Sequence, residues 1–170
     1  MKPGKMGVFL FIVAAAVGAV NLAAFAAGVE VSVLSGIKEV GPGEFVTHVF
    51  SITNQESTSD TFALTYTAPS GWGLLGAPES LTLDAGEEGT IFLTITVPPG
   101  AAAGDYSVGL TAVSQSDSSV VASAIATVRV QPVNKVELVP PAGKSTPPGG
   151  KVVYSFTVVN RGNAQDTFCL

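Results

Sequence analysis

His48 is the single imidazole in the 170-residue chain, so a Ser-His-Asp relay or a histidine-metal site would have to use it. It lies in the alternating run Val46-Thr47-His48-Val49-Phe50-Ser51-Ile52, on the same face as Val46, Phe50 and Ile52. At an offset of 106 residues a similar run sets Tyr154 against it. A catalytic group is not expected to be exchanged for tyrosine, so both are read as packing residues on the inward face of a strand. No Gly-x-Ser-x-Gly elbow is present. Gly143-Lys144-Ser145 ends like a phosphate loop, but Leu138 stands where the first glycine is required. Pro140, Pro141, Pro147 and Pro148 also forbid the helix that would hold the phosphate. Asp84, Glu87 and Glu88 flank Gly86, and Asp60, Asp105 and Asp117 fall in other turns. A calcium site needs about six to eight oxygen ligands, and no spacing here supplies them, so they are read as solvated turn carboxylates. Asp60 and Asp166, which recur with Asn54 and Asn160, are expected to tie a turn through side-chain to backbone bonds. Cys169 is a lone thiol that supports neither a disulfide framework nor a catalytic role. Trp72, after Gly71, is the one ligand candidate, by stacking on a sugar; Leu74 and Leu75 beside it favour a tryptophan that caps the core. Catalytic, cofactor-binding and metal-ligating residues are therefore all assigned as none.

Composition narrows the classes further. Eight Lys plus Arg against thirteen Asp plus Glu give −5, which leaves no electrostatic footprint for nucleic acid. Charged residues are only 12% of the chain, while the apolar share of 46% argues against a solvated, disordered segment. No Asn-x-Ser/Thr sequon follows the leader.

The elements that would position any such residues begin after an address. Lys2 and Lys5 precede the uncharged apolar run 7–20, and Ala24-Phe25-Ala26 offers small residues before a cut at Ala27. That is the layout of a secretory signal peptide, residues 1–26, with a helical apolar core. An uncleaved anchor of about 20 residues is the rival; the Ala-rich tail and the cleavage site favour removal. No cysteine stands directly after the apolar run, which excludes bacterial lipoprotein anchoring. Removal leaves six positive and thirteen negative charges, a net of −7.

The chain then overlies itself. Residues 42–64 align without a gap on residues 148–170, with nine of 23 positions identical, and Val29-Glu30-Val31 matches Val136-Glu137-Leu138 with one residue of slip. Self-similarity at a long fixed period signals tandem domains. The second copy stops at Leu170, short of the strands it needs to bury its apolar face. The chain is accordingly expected to be the N-terminal fragment of a longer tandem-repeat protein.

Within the first copy the hydrophobic period is two. Phe62, Leu64 and Tyr66 alternate with Ala63, Thr65 and Thr67; Ile91, Leu93, Ile95 and Val97 alternate with Phe92, Thr94 and Thr96; Tyr106, Val108, Leu110 and Ala112 alternate with Ser107, Gly109 and Thr111. With runs at 29–34, 46–53, 81–83 and 120–131 these predict about seven strands, separated by Gly, Pro, Asn and Asp turns. The inward face of the last run is not assignable from its residues. Apolar-in, Thr/Ser-out strands over about 100 residues require an all-β, immunoglobulin-like two-sheet sandwich. Pro98 and Pro99 are placed at an inter-sheet corner, since neither can donate to a ladder. Tyr106 beyond it is placed as a tyrosine corner. The expected organisation is a signal peptide at 1–26, a sandwich at 27–133, a Pro-rich junction at 134–148 and an incomplete second copy at 149–170.

The stretch Pro42-Gly43…Phe50-x-Ile52-x-Asn54…Asp60-Thr61-Phe62-x-Leu64, Gly71-Trp72, Leu83-x-x-Gly86-Glu87…Val97-Pro98-Pro99-Gly100…Gly104-Asp105-Tyr106 resembles the NEW3-type domain. The resemblance covers about residues 29–133 and the start of the second copy. It departs where the usual Asn-x-Gly reads Asn54-Gln55-Glu56, although Asn160-Arg161-Gly162 keeps it. It implies an immunoglobulin-like sandwich in an extracellular setting, found beside glycosidase domains and repeated in surface proteins. The implied role is a non-catalytic accessory or spacer module, or else a carbohydrate-binding accessory of a secreted glycosidase. The implied partner is a polysaccharide or cell-wall glycan, with membrane contact only through the signal segment or an anchor beyond Leu170. The expected location is extracellular or cell-surface.

Overall fold

Side chains of alternating polarity can keep one face wet only by pairing edge to edge and stacking two sheets over the dry face. The computed structural model describes residues 28–169, and the strands do this. The signal segment lies outside the described residues. One sheet runs β1 (Val29–Val33), β3 (Phe45–Asn54), β7 (Glu88–Thr96), β5 (Gly73–Leu75). The other runs β2 (Lys38–Val40), β9 (Val121–Val130), β8 (Gly104–Ser114), β4 (Asp60–Thr67), β6 (Ser80–Leu83). All pairings among these strands are antiparallel except the short parallel β2–β9 edge. The chain thus starts in one sheet and crosses to the other through residues 34–37 before β3 begins. Nine strands stand where about seven are predicted. The two extra ones, β2 and β5, are three-residue edge strands, too short to show a period.

The core is the inward set of both sheets: Val46, Phe50, Ile52, Leu93 and Ile95 from one, Phe62, Leu64, Val108, Leu110 and Val128 from the other, all buried. On β9 the inward residues are Ala122, Ala124, Ala126, Val128 and Val130, while Ile125 faces solvent. The small alanines let β1 pass close over β9, which brings the two sheets together at that edge. Pro98 opens the corner that carries β7 over to β8, with the Ala101 amide donating to the Pro98 carbonyl at 3.0 Å. The Tyr106 hydroxyl donates to the Ala102 carbonyl at 2.9 Å, the expected tyrosine corner.

Residues 134–169 repeat this geometry locally. β10 (Val136–Val139) pairs with β11 (Thr157–Asn160), matching Val136 to Asn160 as β1–β3 matches Val29 to Asn54. The Arg161 amide donates to Lys135 O at 2.7 Å, where the Gln55 amide donates to Gly28 O at 2.9 Å. The turn entering the long strand recurs too: Gly43 at φ 83° and Gly149 at φ 82° each follow a proline. That is the left-handed position of a type II turn, closed from Glu44 N–H to Gly41 O and from Gly150 N–H to Pro147 O. The Pro-rich segment expected as junction therefore carries a strand, β10. Tyr154 departs from its expected inward place: it precedes β11 and is 44% exposed, whereas His48 is fully buried. Around it the second unit has no facing sheet among the described residues, and Leu138, Val153 and Phe156 are exposed with it.

Candidate functional site

The polar groups that reach the interior are held by loops, and their partners define what chemistry each can offer. Asn54 ends β3, fully buried. Its Nδ2 donates to Thr58 O at 2.9 Å and Leu83 O at 3.1 Å, and its Oδ1 accepts the Glu56 amide at 2.9 Å. Asp60, at the start of β4, accepts the Thr61 amide at 2.7 Å and the Ser116 hydroxyl at 2.9 Å, and also the Ser114 hydroxyl. The Ser114 bond, then those from Ser116 and Thr61, hold the Asp60 carboxyl below the usual carboxylate range against the cost of burial. Ser114 Oγ in turn accepts the amides of Ser116 and Asp117 at 3.2 and 3.0 Å. These groups tie three loops at one end of the sandwich, and their hydrogen bonds are spent within the protein. Asp166 and Asn160 keep the local part of the pattern: Asp166 accepts the Thr167 amide at 2.7 Å, and Asn160 spans to Ala164 O and the Gly162 amide at 2.8 Å each.

His48 Nδ1 stands 2.8 Å from Ser35 Oγ, and Ser35 Oγ also accepts the Val49 amide at 3.2 Å. Ser35 sits in the crossover from β1 to β2, so the histidine moors that crossover to β3. Its Nε2 is buried without a hydrogen-bond partner. Burial, then Lys38, depress its pKa, with the Thr127 backbone opposing. The pair has the serine and the imidazole of a relay, but among the described residues no carboxylate hydrogen-bonds to the ring to orient it.

The turn acids act the same way. Glu87 accepts the Asp84 amide at 2.7 Å, Glu88 accepts the Ser51 hydroxyl, and Asp117 accepts the Ser119 amide and hydroxyl at 2.9 and 2.7 Å. Asp105 and Arg129, directly opposed on β8 and β9, form a two-pronged exposed pair at 2.7 and 2.8 Å. Among the described residues no three His, Cys, Asp or Glu side chains group as a metal site. Cys169 is exposed.

Trp72 follows a turn in which its amide donates to Pro69 O at 3.2 Å. Its indole packs on Tyr106, ring centroids 4.8 Å apart and planes at 45°, and lies partly buried against the core. The tyrosine that supports it is the one anchored to Ala102, so the aromatic pair sits on a fixed corner at the sandwich end. Hollows on the surface of the described residues include one of about 620 Å3 beside Asp105, Arg129 and Gln131, one of about 300 Å3 between Pro42, Pro99 and Asn163, and one of about 230 Å3 beside Ser35 and Thr127. Trp72 lines none of these three.

Reading the residues alone misses Ser35, Ser114, Ser116 and Asn163. The serines carry no pattern of their own. Asn163 has a signal in retrospect, because the second copy reads Asn160-Arg161-Gly162-Asn163 where the first reads Asn54-Gln55-Glu56-Ser57.

Residues 40–115 match the family described as NPCBM-associated, NEW3 domain of alpha-galactosidase. No curated protein sequence matches the chain. Among solved structures, the FixG-related protein of Vibrio parahaemolyticus is similar at TM-score 0.52 and 9% identity, over 61% of this chain and 97% of that one. The likeness is one of fold. An E. coli alpha-2-macroglobulin is similar at TM-score 0.48 and 20% identity, over 69% of this chain and 8% of that one. A family 123 glycoside hydrolase from Clostridium perfringens is similar at TM-score 0.43 and 11% identity, over 61% of this chain and 27% of that one.

Proposed function

Since the chain carries a NEW3-type domain over residues 40–115, we propose that it is a non-catalytic accessory module, exported and serving as a spacer in a tandem-repeat surface or secreted protein. The observation that carries this reading is the recurrence, in residues 136–167, of the β1–β3 register and both of its flanking turns. A repeat that keeps its turn chemistry is built to fold as a second sandwich, and its exposed Leu138 and Phe156 await a facing sheet. The use of Asn54, Asp60 and Asp117 to tie loops supports a structural role over a chemical one. The leader at 1–26 supports export to an extracellular or cell-surface location.

The decisive experiment is to sequence the locus beyond the Leu170 codon and weigh the exported product. A frame that completes the second sandwich supports the spacer reading. A stop there, with a stable mature chain of 144 residues (27–170), overturns it.

A second reading rests on the Trp72–Tyr106 pair. Supported rigidly at a loop end, it would suit a carbohydrate-binding accessory of a secreted glycosidase, with a polysaccharide or cell-wall glycan as partner.

A further inference from the structure

We infer that the turn at residues 160–163 is a latch by which the second unit docks on the first sandwich, holding consecutive units at one angle. Asn163 is its centre. The side chain donates from Nδ2 to Ala101 O at 3.1 Å and to Gln131 O at 3.0 Å, and its Oδ1 accepts the Val133 amide at 2.6 Å. The backbone adds Asn163 N–H to Val133 O at 3.2 Å and Ala103 N–H to Asn163 O at 3.0 Å. Five bonds thus join one residue to two places on its predecessor: the corner that leaves β7, and the segment that leaves β9. Both side-chain donors are used, in directions that an aspartate could not reproduce.

Gly162 makes the approach possible. A Cβ there would lie 2.2 Å from Val133 O and 3.3 Å from the Lys135 amide, inside contact distance of rigid backbone. Arg161 points the other way and pairs with Glu137 on β10 at 2.6 Å, which fixes the turn to its own unit. The first copy shows what the turn looks like without the docking residues. Glu56 and Ser57 replace Gly162 and Asn163, the Asn54 side chain still closes the turn, and Glu56 lies against Gly28. The same turn is therefore a cap in one unit and a latch in the next. The length of chain between β9 and β10 agrees, since five residues pulled tight by the latch have little freedom to swivel.

The latch deepens the spacer reading and rests on it for purpose alone. Amide exchange on the full chain tests it, because the Val133 and Ala103 amides have Asn163 as their acceptor. In the wild-type chain both should exchange at least about tenfold more slowly than open amides. Asn163→Ala should remove that protection, a tenfold loss being about 1.4 kcal/mol, while the Phe50 and Leu110 amides keep theirs. Where that variant also opens the β10–β11 amides, Gly162→Ala decides, since it blocks the approach and leaves the Asn163 side chain in place. Open Val133 and Ala103 amides in the wild-type chain, or retained protection in the deciding variant, overturn the latch. A stop codon at 171 would sink the spacer reading and leave the exchange pattern unmoved, so the two fail separately.

Discussion

Ser35 Oγ and His48 Nδ1, 2.8 Å apart, join the loop that switches sheets to the middle of β3. Ser35 also accepts the Val49 amide, so one hydroxyl holds both the ring and the strand backbone. Charging the ring would place a cation among buried side chains, which burial opposes.

The folded pKa of His48 is depressed, so the unfolded chain binds the proton first on acidification. Stability should be full above about pH 6.5 and fall as pH drops below it, until the folded pKa is passed. Urea unfolding at several pH values between 8 and 5 reads the slope. His48→Gln should flatten it. A wild-type stability that does not change over that range would show the ring is not held neutral.

Asp60 sets the acid arm. Its folded pKa is also depressed, chiefly by Ser114, so its contribution is present above about pH 4 and lost as pH falls through the folded value. Asp60→Ala should cost about 1–3 kcal/mol at neutral pH, because the Ser114 and Ser116 hydroxyls and the Thr61 amide lose a charged acceptor. Ser114→Ala should cost a similar amount, since it removes the leading donor to Asp60 and leaves the Ser116 and Asp117 amides without their acceptor. Denaturant midpoints check both variants, and a loss below about 0.5 kcal/mol from either contradicts the assigned network.

These two residues also mark how far the residues alone could be read. Asp60 is legible as a turn tie because Asp166 and Asn160 repeat it, but its bonds to Ser114 and Ser116 cross 54 and 56 residues and leave no local trace. The long strands announce themselves by alternation. β9 does not, because its buried face is alanine while Ile125 points outward: size runs against burial where β1 crosses closely. β2 and β5 are three residues each, shorter than any period can show. Tyr154 aligns with a buried histidine, yet burial needs a facing sheet, and that is a tertiary fact.

Gly43 offers a local test of the repeated turn. At φ 83° a side chain costs about 1–2 kcal/mol, so Gly43→Ala should destabilise the first sandwich by that amount. Gly149→Ala, at the same turn of the second unit, should leave the first sandwich's melting unchanged. Equal losses from both would mean that the units unfold as one.

Trp72 separates the two functional readings. If the indole's work is packing, Trp72→Ala should lower stability by about 2–4 kcal/mol, since removing it bares the Tyr106 ring and part of the core beneath. Tyr106→Phe should cost only about 0.5–1.5 kcal/mol, the hydroxyl bond to Ala102 being all that is lost. A glycan-binding role predicts something different: a folded Trp72→Ala domain that no longer stays on an insoluble polysaccharide column which retains the wild type. The indole is half-buried and tilted at 45° on a ring fixed by its own hydroxyl. Affinity retardation and thermal melting on the same three proteins divide the cases. Retention lost with melting unchanged establishes the ligand reading; melting lowered, with no retention by the wild type, leaves Trp72 to the core.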